Sequence, residues 1–197
     1  MVHLSIVADD LPIERFATQA EWEAWLAEHH ATARGVWLEF AKKGTGVQTV
    51  VYAEAVEEAL RYGWIDGQSK GRDETFYLQR FTPRTKRSRW SQINVGKVER
   101  LLAEGRMTPA GMAAVEAAKA DGRWDAAYPS PSKATVPDDL RDALAANDAA
   151  RAAFEALDGQ NRYAILHRVG EAQRPETRAR RIAKFVAMLA AGERVHP

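Results

Sequence analysis

Apolar positions recur at two different periods along this chain, and the period changes mark its elements. In "QAEWEAWLAEHH" Trp22, Trp25, Leu26 and His29 fall at helical spacing, and Gly35 closes the segment. "GVWLEFA" alternates instead, with Val36, Leu38 and Phe40 on one face and Trp37 and Glu39 on the other, so it predicts a strand. "VYAEAVEEALRYG" returns to the helical period: Tyr52, Val56, Ala59 and Leu60 form one stripe, and Gly63 supplies the stop. "GWIDGQSKGRDETFYLQRF" reads as a strand at 64–66, a loop holding Gly67 and Gly71, and a strand at 75–81. Extended backbone would point Trp64, Asp66 and Gln68 one way, and would put Arg80 on a face with Phe76 and Leu78.

After Pro83 the pattern is helical to the end. Ser88 is the expected N-cap of a helix closed by Gly105, and Trp90, Asn94, Lys97 and Leu101 share one face of it, flanked by Ile93 and Val98. Thr108, Pro109 and Gly122 are the cap, first residue and terminator of the next. "AYPSPSKATVPDD" is rich in Pro and Ser and reads as a linker. Helices are expected beyond it near 138–146, 148–157, 160–172 and 175–189, the last with an apolar stripe of Ile182, Phe185, Val186 and Leu189. The fold class is therefore α+β. A small, mostly antiparallel sheet with helices spans 1–126, a linker 127–137, and a helical C-terminal domain 138–197.

Composition narrows the chemistry. A chain of 197 residues without Cys excludes disulfides, thiolate metal sites and thiol catalysis. The five His include no H-E-x-x-H or similar spacing, so no metal and no cofactor are expected. No G-x-S-x-G elbow is present, and "KKGTG" at 42–46 reads as a hairpin turn rather than a phosphate loop. "MVHLSIVADDLPIERF" shows no signal-peptide pattern and no apolar run is long enough to span a bilayer, so a cytoplasmic protein without membrane insertion is expected.

Charge is balanced in total, 28 Lys+Arg against 27 Asp+Glu, but not in distribution. Between residues 75 and 98 there is no acid, while Arg80, Arg84, Lys86, Arg87, Arg89 and Lys97 are cationic. "RPETRARRIAK" adds Arg174, Arg178, Arg180, Arg181 and Lys184. A helix N-terminus beside such a run suits anions. Arg80, on an otherwise apolar strand face, calls for a carboxylate partner, as does Arg178 at the edge of its stripe. Asp66 is the acid expected to meet Arg178, with Arg80 competing for it.

Several blocks carry a resemblance: "GVWLEFAKK", "YAEAVEEALRYGWIDGQSK", "YLQRFTPRTKRSRWSQIN", "VPDDLRDAL" and "RYAILHRVGEAQRPETRARRI". Over roughly residues 15 to 193 the chain resembles the bacterial YdeI/OmpD-associated family, also labelled bacteriocin-protection proteins. The resemblance implies a cytoplasmic bacterial protein with a part in tolerance of antimicrobial or oxidative stress and an association with an outer-membrane porin. It transfers no catalytic residues.

These readings converge on a binding protein rather than an enzyme. A Trp/Arg-lined cleft between the two halves would hold an anionic, phosphate-bearing small molecule. Its expected residues are Trp64, Asp66, Gln68 and Lys70 on the strand-and-loop side, Arg80, Arg84, Ser88, Trp90 and Asn94 facing them, and Arg178 from the last helix. The second reading is an enzyme with Asp66 as general acid or base, assisted by Arg80 or Arg84. Nucleic-acid binding through the two basic patches ranks third. The sequence names no protein partner.

Overall fold

The computed structural model describes residues 11–130, 133–172 and 174–196, so His3 and the N-terminal expectation above lie outside the described residues. The chain divides into two compact units between Tyr128 and Pro129.

In the first unit the order is β1 (Ile13–Glu14), α1 (Gln19–His29), β2 (Val36–Ala41), α2 (Tyr52–Arg61), β3 (Trp64–Gly71), β4 (Phe76–Pro83), α3 (Gln92–Ala103) and α4 (Pro109–Ala120). The four strands form one sheet in the order β1-β2-β4-β3, with β1 parallel to β2 and the other pairings antiparallel. The α+β class with a mostly antiparallel sheet is thus what the chain adopts.

Alternation in β2 divides the sheet as its sequence implies. Val36, Leu38 and Phe40 face the helices and are buried with Phe81 and Trp64. Against them pack Trp22 and Leu26 of α1, Val56, Ala59 and Leu60 of α2, Val98 and Leu101 of α3, and Val115 of α4. Trp22 and Trp64 keep their indole N–H groups satisfied, donating to Ala55 O at 3.1 Å and His30 O at 3.2 Å. On the opposite face lie Trp37, Glu39, Leu78 and Arg80, in the cross-strand pairs Trp37–Arg80 and Glu39–Leu78. Buried Glu39 is held there by the guanidinium groups of Arg15 and Arg72.

Three local expectations need correction. The hairpin β3–β4 keeps pairing as far as Gly71 and runs on to Pro83, because a bulge between Asp66 and Ser69 absorbs a residue without ending the ladder. The 42–46 segment ends β2 but leads into α2, so it is part of a strand-to-helix connection and not a hairpin turn. Helix α3 starts at Gln92 on the cap Ser91, whose Oγ accepts from Asn94 N at 3.1 Å. Ser88 closes a separate turn, its Oγ accepting from Thr85 N at 2.9 Å. This shift leaves Trp90 ahead of the helix and Ile93 half exposed.

The second unit holds α5 (Asp138–Ala145), α6 (Asp148–Glu155), α7 (Gly159–Gly170) and α8 (Pro175–Ala190). Their apolar stripes meet in a core of Leu140, Leu144, Phe154, Ile165, Val169, Ile182, Phe185 and Leu189. Asn147 and Asp158 cap α6 and α7 by accepting from Ala150 N at 3.0 Å and Asn161 N at 2.8 Å.

Candidate anion-binding site

The acid-free stretch becomes a bend between β4 and α3, and the structure gives each of its cations a different task. Arg84 follows the end of β4, and its N–H donates to Gly63 O at 2.9 Å. The guanidinium lies over Trp90, with Cζ 3.5 Å from the ring centroid, and Nη1 donates to Arg89 O at 3.2 Å. Its Nε and Nη2 are buried and have no hydrogen-bond partner. Burial pulls the Arg84 pKa down to about 10, with Asp66 and Tyr128 acting in the opposite direction. Arg84 therefore remains charged at neutral pH while two of its donors go unused.

Asp66 leaves β3 on the helix side of the sheet and accepts a hydrogen bond from the Tyr52 hydroxyl at 2.6 Å. Partial burial of that phenol, together with the adjacent carboxylate, pushes its pKa above the ordinary range. A raised phenol pKa contributes stability that is fully present below about pH 10 and lost as pH rises beyond it toward the folded value. We expect Tyr52→Phe to leave unchanged the tyrosinate absorbance that the folded protein gains up to roughly pH 11. A loss of amplitude in that range would show Tyr52 titrating as an ordinary phenol.

The remaining surroundings are fixed by backbone contacts. Arg89 stands over the Tyr128 ring at 5.0 Å, and Tyr128 is tied to the start of α3 through Tyr128 N–Trp90 O at 3.0 Å and Gln92 N–Tyr128 O at 2.9 Å. Arg123 braces the 85–88 turn, donating to Thr85 O at 3.3 Å and Ser88 O at 3.1 Å. Two N–H groups of the first turn of α3, those of Gln92 and Asn94, are thus already spent inside the fold. The first turn of α3 therefore keeps fewer free donors than its dipole alone would suggest, and the unpartnered donors here belong to Arg84.

Nine of the ten residues expected to line a cleft lie in the first unit, and its sheet divides them between two faces. Trp64 is buried in the core rather than lining an opening, since its ring packs edge-on to Trp25 at 5.8 Å. Trp90 is equally buried and presents its face to Arg84, not to solvent. Gln68 is exposed at the bulge, which breaks the alternation that would have aligned it with Asp66. Lys70 and Arg80 lie on the opposite side of the sheet, where the Lys70 ammonium sits 4.1 Å over Trp37. Arg80 has no ion pair among the described residues, because the acid on its face, Glu39, is taken by Arg15 and Arg72. Ser88 belongs to the turn and half-buried Asn94 to the first turn of α3. Arg178 belongs to the second unit, where its three nitrogens are engaged: Nε and Nη2 donate to the two carboxylate oxygens of Asp139 at 2.5 and 2.8 Å, and Nη1 to Val169 O at 3.0 Å. That pairing holds the Asp139 carboxyl below the usual carboxylate range.

Asp66, Arg84 and Trp90 lie in one neighbourhood with Arg89, already marked as a cation of the acid-free run, and with Tyr52, Tyr128 and Arg123, which the sequence did not single out. Tyr52 was legible only as part of a helix stripe. Nothing local says that the first residue of α2 reaches β3. Among the described residues no cluster of His, Cys, Asp and Glu is suited to hold a metal ion, and no helix is long and apolar enough to cross a membrane.

The first unit is thus an α+β domain whose polar focus is a stacked arginine at the end of its central hairpin. Residues 14–114 match the family described as a domain of unknown function, DUF8412, and since that match covers more than half of the chain, the chain belongs to this family. Residues 133–192 match the family described as Bacteriocin-protection, YdeI or OmpD-Associated, so the suspected likeness is shown over that part of the chain. No curated protein and no solved structure matches the chain.

Proposed function

We propose that the first unit binds a small phosphate-bearing anion at Arg84, acting in the cytoplasm and without a catalytic role. The observation that carries this reading is the pair of unused, buried donors on a guanidinium stacked against Trp90. An unsatisfied buried donor costs about 1–3 kcal/mol, more when charged, and an oxyanion offering two acceptors would recover that cost. Both nitrogens are closed off from solvent, so binding requires the surrounding side chains to shift. The neighbouring cations suit a bound small ion better than a nucleic-acid track. Arg89 covers Tyr128, and in the other patch Arg178 is held by Asp139 and Arg181 lies 3.7 Å from Glu171. A part in antimicrobial tolerance, taken from the description of the family matched by residues 133–192, completes the proposal.

Thermal denaturation with pyrophosphate, against sodium chloride at equal ionic strength, tests it. Wild type should gain about 2–3 kcal/mol of stability at a hundredfold excess over Kd. Arg84→Met should lose that gain yet be no less stable than wild type without ligand, because it removes a buried, half-paired charge. Equal stabilisation of both proteins would remove Arg84 from the site.

A further inference from the structure

A second recess opens on the same unit, behind the 42–51 connection. It encloses about 720 Å³, within the range of small-molecule sites. One wall is aromatic: Phe40 stacks on Tyr77 at 5.3 Å and meets Tyr52 at a steep angle at 6.1 Å. The rim is apolar and uncovered. Of the five large hydrophobic side chains exposed among the described residues, three, Val47, Val51 and Tyr52, line this recess. Exposed apolar groups scattered singly mean little, but three gathered around one concavity mark a binding surface. The charges of the lining itself are of one sign, with Asp73 beside Lys42 and Asp66 beside Tyr52 just outside it. Lys42 and Lys43 belong to the lining and no acid does. Lys42 is pinned by donating to Asp73 O at 2.7 Å, while Lys43 is exposed at the mouth.

We infer that this recess binds a planar aromatic anion, its ring against Tyr77 and Tyr52 and its charged group toward Lys42 and Lys43. Stacked rings with an apolar rim select a flat hydrophobic body, and a lining that holds two lysines and no acid selects negative charge. The 42–51 connection takes its path through Gly44 and Gly46, both at positive φ, 87° and 72°, and both with open space where a side chain would stand. The inference does not depend on the Arg84 reading, although Tyr52 borders both places.

The probe is 1-naphthyl phosphate, titrated against the full chain by fluorescence and saturation-transfer NMR, with 1-naphthol and inorganic phosphate as comparisons. We expect saturable binding of naphthyl phosphate, about tenfold weaker binding of naphthol, and no displacement by inorganic phosphate. Val47→Asp and Val51→Asp place a negative charge on the exposed rim and should each weaken binding about tenfold without lowering Tm, whereas Ile13→Asp, on β1, should change neither. Absence of saturable binding, equal affinity for naphthol, displacement by inorganic phosphate, or an equal loss in Ile13→Asp would each overturn the assignment. Failure of pyrophosphate to stabilise the protein would leave these outcomes unaffected, so the two sites can fail separately.

Discussion

Replacing Gly111 with alanine should destabilise the protein by about 3 kcal/mol or more, while the same change at Gly96 should be neutral or stabilising by up to about 1 kcal/mol. The contrast comes from where the two helical glycines stand. A Cβ at Gly111 would sit 2.1 Å from Arg61 O and 2.7 Å from its carbonyl carbon, so backbone would have to move. That contact is the joint between α2 and α4. Thr108 caps α4 by accepting from Gly111 N at 3.3 Å, and its hydroxyl also donates to Arg61 O at 2.6 Å, satisfying a carbonyl at the end of α2. Pushing α4 away would break that shared cap as well as overpack the contact. Around Gly96, in the middle of α3, a Cβ would meet nothing within 4 Å, and only the entropy saved by alanine remains. Urea unfolding of the two variants decides the point, and similar stabilities for both would show that α4 does not need its close approach.

Glu58→Ala should cost about 3 kcal/mol, against under about 1 kcal/mol for Glu57→Ala on the same helix. Glu58 is 1 % exposed and serves three partners: Arg61, Gln19 Nε2 at 2.6 Å and Arg106 Nη2 at 3.4 Å. Arg61 in turn donates to Glu23 at 2.6 Å and to Arg106 O at 2.7 Å, so this network fastens α1, α2 and the approach to α4. Deleting the carboxylate strands a largely buried guanidinium, and the retained Glu23 offsets only part of that loss. Glu57 pairs with Arg100, which is half exposed, and solvent takes over when the pair is broken. A double-mutant cycle with Arg61→Ala should return a coupling above about 1 kcal/mol. Additive losses would mean that the two residues act independently.

The parts of this architecture that are written locally were readable in the sequence. The alternation of "VWLEFA" separated the two faces of the sheet correctly, and Thr108–Pro109 fixed the start of α4 because cap and first residue are adjacent in the chain. The four helices of the second unit were likewise marked by stripes and terminators. What escaped was whatever depends on long-range partners. The sequence reading put the cap of α3 at Ser88, whereas Ser91 takes that place, and the Tyr128 backbone, which pairs with Trp90 and Gln92, accompanies the shift. Arg178 had an acid 39 residues away at Asp139 that only the packing of α5 on α8 reveals. The one-residue irregularity in β3 had the widest consequence, since it decides which side of the sheet Lys70 occupies. A set of residues that looks contiguous on a flat strand therefore divides between two faces and two units.

The claim that the unused Arg84 donors receive an oxyanion is tested most directly at those atoms. The ¹⁵N–¹H signal of Arg84 Nε, assigned by its disappearance in Arg84→Lys, can be followed as pyrophosphate is added. A charge-assisted hydrogen bond should move that proton downfield, saturably, at the concentrations that raise Tm. An Arg84 Nε signal that stays in place while the protein is stabilised would contradict the account and put the anion elsewhere.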